Sequence, residues 1–146
     1  MTRPQIVREG PPLPDSTVDE ISTTVARCLD ALLVPSDAEL TVVLTNDARL
    51  HELNHQYRKI DGPTDVLSFP ADPGAGDPDE PPYLGDVVIS IERARHQAEK
   101  EGQSLGAELQ LLAVHGTLHL LGYDDATEDG ADEMEALEVR LGVRAP

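Results

Sequence analysis

The sequence predicts an α+β fold in which a small mixed sheet packs against helices, one of them central and buried. β-Branched segments and segments of helical periodicity follow one another without the strict strand–helix alternation of a parallel α/β protein. The chain has 146 residues, a length that suits one domain covering residues 1–146. These two observations define the predicted architecture.

Four strands and five helices are expected. The β-branched or aromatic segments that predict strands are 5–9, 39–45, 66–69 and 83–92. Apolar residues three and four apart predict helices at about 17–33, 47–58 and 129–141. A short polar helix is expected at 93–101, and a buried helix at 105–121, which is apolar nearly all round. Ser16 or Thr17 is expected to cap the first helix, and Asn46 or Asp47 the second. Residues 70–82 are rich in Pro, Gly and acid, which predicts an exposed, mobile loop.

Composition restricts the classes of function. The chain has 11 Lys and Arg against 28 Asp and Glu, a formal net charge of −17, which disfavours broad electrostatic binding to nucleic acid without a local basic patch. Its one cysteine, Cys28, excludes an intramolecular disulfide and is expected in the core. No segment approaches the roughly 20 apolar residues of a membrane helix. We therefore expect a cytoplasmic protein with no membrane partner.

Two His-x-x-x-His pairs compete as metal-binding candidates. His51 and His55 complete a literal H-E-x-x-H, the pattern of zinc proteases. On a helix these side chains lie on the side turned away from Leu50 and Leu53, and we expect them to face solvent. No suitably spaced third ligand follows His55. A polar helix face is the favoured interpretation of this pair.

His115 and His119 lie one turn apart in a segment that is apolar nearly all round. Buried imidazoles must find partners, and one shared metal ion satisfies both. Gly122 can adopt the positive φ that ends a helix and turns the chain, so that Asp125 reaches the same metal. The sequence therefore predicts a metal site at His115, His119 and Asp125. The neighbouring Asp124 is the alternative third ligand, although the spacing favours Asp125.

The composition of this site bears on its chemistry. Two His and one carboxylate admit zinc and also Fe, Mn or Ni. Gly116 stands where zinc proteases carry the glutamate that acts as general base, which disfavours peptide hydrolysis by that mechanism. A metal ion can still polarise a phosphoryl oxygen and activate water.

Residues 115–124 read HGTLHLLGYD and resemble the hallmark of the YbeY endoribonuclease family, H-G-x-L-H-L-x-G-Y-D-H. The chain departs from that hallmark at its last position, where Asp125 replaces histidine. Residues 53–58 and 63–69 are similar to a second block of the family, and residues 84–86 to a third. The resemblance covers roughly residues 38–142.

This resemblance implies a metal-dependent, single-strand-specific endoribonuclease that acts in 16S rRNA 3′ end maturation and ribosome quality control. It implies zinc held by His115, His119 and residue 125, with Arg58 as the functional arginine near the metal. Its partners would be single-stranded RNA and the ribosome or its small subunit, with no DNA. Arg58 and Lys59 would supply the local basic patch. The general base stays open between residues such as Asp65 and Asp86.

Two other functions stay open. One is a non-catalytic ribosome assembly factor with a structural metal, and the other is a metal-dependent hydrolase of another substrate. Structural zinc sites are usually closed by four ligands, often cysteines, so three ligands without cysteine favour catalysis. The acidic run 124–138, with eight carboxylates, is expected to form a solvated face of the closing helix, with a cation store as the alternative.

Overall fold

The computed structural model describes residues 3–58, 65–71 and 79–146, without the side chains of Tyr57 and Arg58. Its strands are β1 Gln5–Arg8, β2 Glu39–Thr45, β3 Val66–Pro70 and β4 Tyr83–Ser90. Its helices are α1 Asp15–Ala31, α2 Asp47–Leu53, α3 Ile91–Glu101, α4 Leu105–Leu120 and α5 Glu128–Arg140. The sheet order is β1-β2-β4-β3, with β1, β2 and β4 parallel and β3 antiparallel to β4. The predicted α+β class with a small mixed sheet is confirmed.

Most differences from the predicted elements lie at helix N-termini. Helix α1 begins directly after Pro14, so Ser16 and Thr17 lie inside its first turn and the predicted cap is wrong. Helix α1 has no side-chain cap, but the carboxylate of Asp15 lies in its first turn, where its negative charge interacts favourably with the positive end of the helix dipole. Helix α3 begins two residues earlier than expected because the Ser90 hydroxyl accepts from the Arg93 N–H at 3.2 Å.

The second helical segment changes form along its length. Asn46 caps α2 as predicted, since its side-chain oxygen accepts from the Arg49 N–H at 2.8 Å. After Leu53 the chain widens into a π-helical turn, Asn54–Arg58, a feature that short-range periodicity does not reveal. Of the predicted loop at 70–82, residues 72–78 lie outside the described residues, so the expected mobility of that segment stays a prediction.

Helix α4 occupies the centre of the fold and packs against α1, α3, α5, β3 and β4. Its contact with the sheet is close at Gly116, where an added Cβ would lie 2.4 Å from Val87 Cγ1. The Ser68 hydroxyl of β3 donates to the Gly116 carbonyl oxygen at 2.8 Å and links helix and sheet at the same point. The backbone next to His115 is therefore held against the sheet by packing and by a hydrogen bond.

The other side of α4 is apolar. Cys28 of α1 is fully buried in a cluster with Val114, Leu118 and Met134, which agrees with the expected core role. Burial raises the pKa of the Cys28 thiol to about 11, so the thiol stays protonated and unreactive at neutral pH. In the described part of the chain, every helix is too short or too polar to cross a membrane.

Candidate metal centre

The structure brings together the three predicted ligands near the C-terminal end of α4. The Nε2 atoms of His115 and His119 lie 3.2 Å apart. The Asp125 Oδ2 atom lies 3.5 Å from His115 Nε2 and 3.8 Å from His119 Nε2. One ligand atom from each residue lies within 4.8 Å of the others, a group that could hold a metal ion.

A glycine turn delivers Asp125 to this position. Gly122 has φ +98°, as predicted, and its N–H donates to the His119 carbonyl at 3.1 Å. The Tyr123 N–H donates to the Leu118 carbonyl at 3.0 Å, which completes the paired bonds of a Schellman motif. The chain then reverses toward α4. The alternative ligand Asp124 is used differently, because its Oδ1 accepts from the Ala126 N–H at 3.0 Å.

Hydrogen bonds at the Nδ1 atoms show where the imidazole lone pairs point. His119 Nδ1 lies 3.0 Å from the Tyr123 carbonyl oxygen, which can only accept, so Nδ1 carries the proton. His115 Nδ1 lies 3.4 Å from Glu138 Oε2 and donates to that carboxylate in the same way. In the neutral imidazoles both Nε2 atoms then present lone pairs to each other, an unfavourable arrangement unless a cation or proton lies between them.

The distances fit a shared metal ion. Ligand atoms held tetrahedrally around zinc at about 2.0–2.1 Å lie about 3.3–3.4 Å from one another. The observed separations of 3.2, 3.5 and 3.8 Å lie close to that spacing without rearrangement of the backbone. The donor set of two imidazoles and one carboxylate suits zinc and also Fe, Mn and Ni.

The site is more open than the sequence suggested. The side chains of His115, His119 and Asp125 are 24%, 28% and 47% exposed, so the expectation of two fully buried imidazoles is wrong. Helix α4 is covered by its neighbours on most sides but borders a cleft of about 540 Å³, which the His115 and His119 rings line. The exposed side of the three residues is therefore accessible to a ligand in the cleft.

The described lining of the cleft is rich in carboxylates. Asp65, Glu101 and Glu108 line it together with Asp125, whereas Arg144 is its one Lys or Arg within the described residues. Glu108 is almost fully buried and accepts from the Gln103 amide. Burial, with a contribution from the nearby Glu101 charge, raises the pKa of Glu108. The sequence analysis missed both Glu108 and Arg144.

A buried carboxylate supports one of the predicted ligands. Seven of the eight carboxylates in the run 124–138 are exposed, but Glu138 is only 2% exposed, so the expectation of a wholly solvated face is wrong there. Its hydrogen bond raises the pKa of His115, and burial of the ring opposes that effect. The sequence held a signal for this, because Glu138 follows the core residue Met134 by four positions on the same helix face.

The competing pair, His51 and His55, lies elsewhere. Both residues are exposed, as predicted, and the chain passes from α2 into the π-helical turn between them. Neither residue belongs to a group of three potential metal ligands within the described part of the chain.

Several other predicted positions are only partly described. The backbone of Arg58 ends the π-helical turn, but its side chain and all of Lys59 lie outside the described residues, as does the predicted basic patch that they form. Asp65 lines the cleft beside His115. Asp86 does not line that cleft and accepts from the Tyr83 hydroxyl.

Comparison with known proteins places the chain in a family. The family model described as Endoribonuclease YbeY matches residues 12–144. A relative of that name from Moorella thermoacetica is 46% identical over 128 residues, which cover 81% of this chain and 82% of the relative. Another, from Desulfitobacterium hafniense, is 47% identical over 119 residues, covering 78% and 76% of the two chains.

A solved structure shares the architecture. The solution structure of a Thermotoga maritima protein superposes with a TM-score of 0.63 over 94% of this chain and 86% of that one. At 22% sequence identity this likeness shows the fold alone. The family model and the curated relatives supply the closer assignment. The chain therefore belongs to the endoribonuclease YbeY family.

Proposed function

We propose that this protein is a metal-dependent endoribonuclease that cuts single-stranded RNA. One observation carries the proposal: His115, His119 and Asp125 converge at the spacing of metal ligands and open into a cleft. The relatives named Endoribonuclease YbeY supply the substrate class. We assign the three residues as ligands of one divalent metal ion, zinc first, with Fe, Mn or Ni as alternatives.

The residues around the group suit hydrolysis better than a structural role. A structural zinc ion is normally enclosed by four protein ligands, whereas three potential ligands here share an exposed side. A bound divalent metal would supply Lewis-acid activation of water and of a phosphoryl group. Gly116 excludes the glutamate of zinc proteases, because even a Cβ at this position would meet Val87.

The chain must also attract a polyanion despite its net charge of −17. We propose that Arg58 contacts the scissile phosphodiester, because a guanidinium meets phosphate bidentately, and that Lys59 adds to the local positive charge. The biological substrate would be the 3′ region of 16S rRNA, reached on the ribosome or its small subunit in the cytoplasm. DNA is not an expected substrate.

The test of this function is a cleavage assay with zinc-loaded protein and an end-labelled RNA oligonucleotide. We expect cuts within the single strand, no cuts in the same sequence as DNA or as duplex RNA, and loss of activity on chelation. Equal cleavage of DNA, or cleavage of casein in place of RNA, would contradict the assignment.

The role of Arg58 has its own test. Arg58→Ala should keep the fold and the metal but lower RNA cleavage by about 10²-fold or more, as for loss of a donor to a developing oxyanion. Arg49→Ala is the matched control, because Arg49 lies on α2 and its ion pair within the described residues is an exposed one with Glu52 at 3.1 Å. Equal rates for the two variants would remove Arg58 from the mechanism.

A further inference from the structure

Glu138 differs from its neighbours in the acidic run by being buried among charged partners. It lies in the last turn of α5 and is 2% exposed, whereas Glu135 on the same helix is exposed. A carboxylate enclosed in protein costs several kcal/mol unless it is paired and hydrogen-bonded. Its partners should therefore explain why it is retained there.

One oxygen of Glu138 meets two donors. Oε2 lies 3.4 Å from His115 Nδ1 and 3.5 Å from Arg144 Nη2. The first contact fixes the imidazole so that Nε2 points toward His119 and Asp125. Metal-ligating histidines commonly donate their other N–H to such a carboxylate, which holds the ring orientation and makes the ligating nitrogen more basic.

The second contact holds a guanidinium at the cleft. Arg144 follows α5, is 39% exposed and lines the same cleft as His115. Within the described residues, Arg144 makes one salt bridge, which is to Glu138. Because a guanidinium has five N–H donors, Arg144 has further donors for another acceptor. The carboxylates of the cleft repel a phosphate group, so Arg144, the one Lys or Arg in its described lining, is the group there that can attract and bind one.

We propose that Glu138 is a positioning residue that orients His115 for metal binding and holds Arg144 for contact with the RNA backbone. This inference rests on the proposed metal site and on the proposed function. Removal of this carboxylate should weaken metal binding through His115, and removal of the guanidinium should weaken RNA binding alone.

The metal arm is measured without RNA, by zinc competition against a chromogenic chelator. Glu138→Gln keeps the shape of the side chain but loses its charge, and we expect zinc affinity to fall by about 10–100-fold. Glu135→Gln, an exposed change on the same helix, should leave zinc affinity unchanged. Should Glu138→Gln fail to fold, Glu138→Asp shortens the same acceptor and should weaken zinc binding in the same direction.

A further control separates positioning from general loss of packing. Met134→Ala removes a buried side chain from α5 and should lower the melting temperature without lowering the zinc affinity of the folded protein. Unchanged zinc affinity in Glu138→Gln, or an equal loss in Met134→Ala, would overturn the proposal.

The RNA arm is the salt dependence of KM for a single-stranded oligonucleotide. Arg144→Ala should raise KM, keep stoichiometric zinc and reduce the slope of log KM against log salt by about 0.7, the value for one lost phosphate contact to a single strand. Arg140→Ala, an exposed arginine of α5, should change neither quantity. An unchanged KM and slope in Arg144→Ala would also overturn the proposal.

The two arms distinguish this inference from the proposed function. If the parent protein cuts no RNA but Glu138→Gln weakens zinc binding, the proposed function is wrong and the role of Glu138 in positioning His115 stands. RNA cleavage with zinc affinity unaffected by Glu138→Gln would retain the function and refute the positioning role.

Discussion

Two helical regions of this protein carry histidines four residues apart, and their surroundings differ. His51 and His55 are exposed and lie where α2 gives way to a π-helical turn. His115 and His119 lie on one regular helix, with Nε2 atoms 3.2 Å apart and each Nδ1 atom hydrogen-bonded to another part of the chain. The pair that matches the protease motif letter by letter belongs to no group of three potential metal ligands among the described residues.

Spacing along the sequence alone does not make two histidines a metal-binding pair, because other groups must orient their rings. Spacing places two rings on one side of a helix, but a third ligand and hydrogen bonds behind the rings make the pair a binding site. On α4 the turn after Gly122 supplies Asp125, and Glu138 and the Tyr123 carbonyl hold the two rings.

The largest effect is expected when His115 is removed, and little effect when His51 and His55 are removed. His115→Ala should reduce cleavage of single-stranded RNA to the level of a protein-free control, because the metal site loses a ligand. The double variant His51→Ala, His55→Ala should retain most of the activity. Rates from initial cleavage of an end-labelled oligonucleotide compare the two. Loss of activity in the double variant alone would reverse the contrast.

A smaller effect is expected at Asp125, the proposed third ligand. Asp125→Ala should weaken zinc affinity by more than about 10²-fold, which exceeds the usual effect of losing an outer-shell partner. Asp125→His should keep zinc, since imidazole is an equally good zinc ligand. Asp124→Ala is the matched control and should bind zinc as the parent does, because the Asp124 carboxylate accepts from the Ala126 N–H. Chelator competition measures all three, and a loss confined to Asp124→Ala would assign the ligand to Asp124.

The position after the first histidine of each pair distinguishes the packing of the two helices. Gly116→Ala places a Cβ 2.4 Å from Val87 Cγ1 and should lower the free energy of unfolding by about 1–3 kcal/mol. Glu52→Ala loses an exposed ion pair with Arg49 and should change the free energy of unfolding by less than about 0.5 kcal/mol. Urea denaturation measures both variants. Equal stabilities would mean that α4 is not held tightly against the sheet.

The smallest effect concerns the apolar side of α4. Cys28 packs against Val114 and Leu118, and burial raises its pKa from 9.0 to about 11. The folded state therefore keeps the thiol proton more tightly than the unfolded state does. This stabilisation is complete below pH 9 and is lost as the pH rises through about 11.

Two measurements check this prediction. A thiol reagent at pH 8 should label the native protein slowly and the urea-unfolded protein rapidly. Cys28→Ala should remove the part of the alkaline loss of stability that the thiol contributes. Rapid labelling of the native protein would show that this side of α4 is accessible.

Much of the fold follows from local patterns in the sequence. β-Branched runs predicted all four strands, and the nearly continuous apolar segment 105–121 predicted α4 to within one residue. The errors lie where tertiary contacts or caps decide the boundary. Ser90 caps α3 earlier than the polar pattern suggested, and α1 begins after Pro14 with no side-chain cap.

Only the candidate metal ligands and the glycine turn of the site were predictable from the sequence. His115, His119, Gly122 and Asp125 lie within eleven residues, so spacing along one helix and one turn brings them together. Arg144 and Glu138 join the site through the packing of α5 on α4. The spacing from Met134 signals the burial of Glu138, but no local pattern shows its contact with His115. The exposure of the His115 and His119 rings was not predictable either, because an apolar helix sequence does not show which side of the helix borders a cleft.

The central claim is that the metal of this enzyme lies on α4. Its most direct test is elemental analysis of the purified protein, the His115→Ala variant and the His51→Ala, His55→Ala double variant after loading with zinc and desalting. We expect one metal ion per chain in the parent and in the double variant, and none in His115→Ala. Retention of metal by His115→Ala together with its loss from the double variant would contradict the account and place the site on α2.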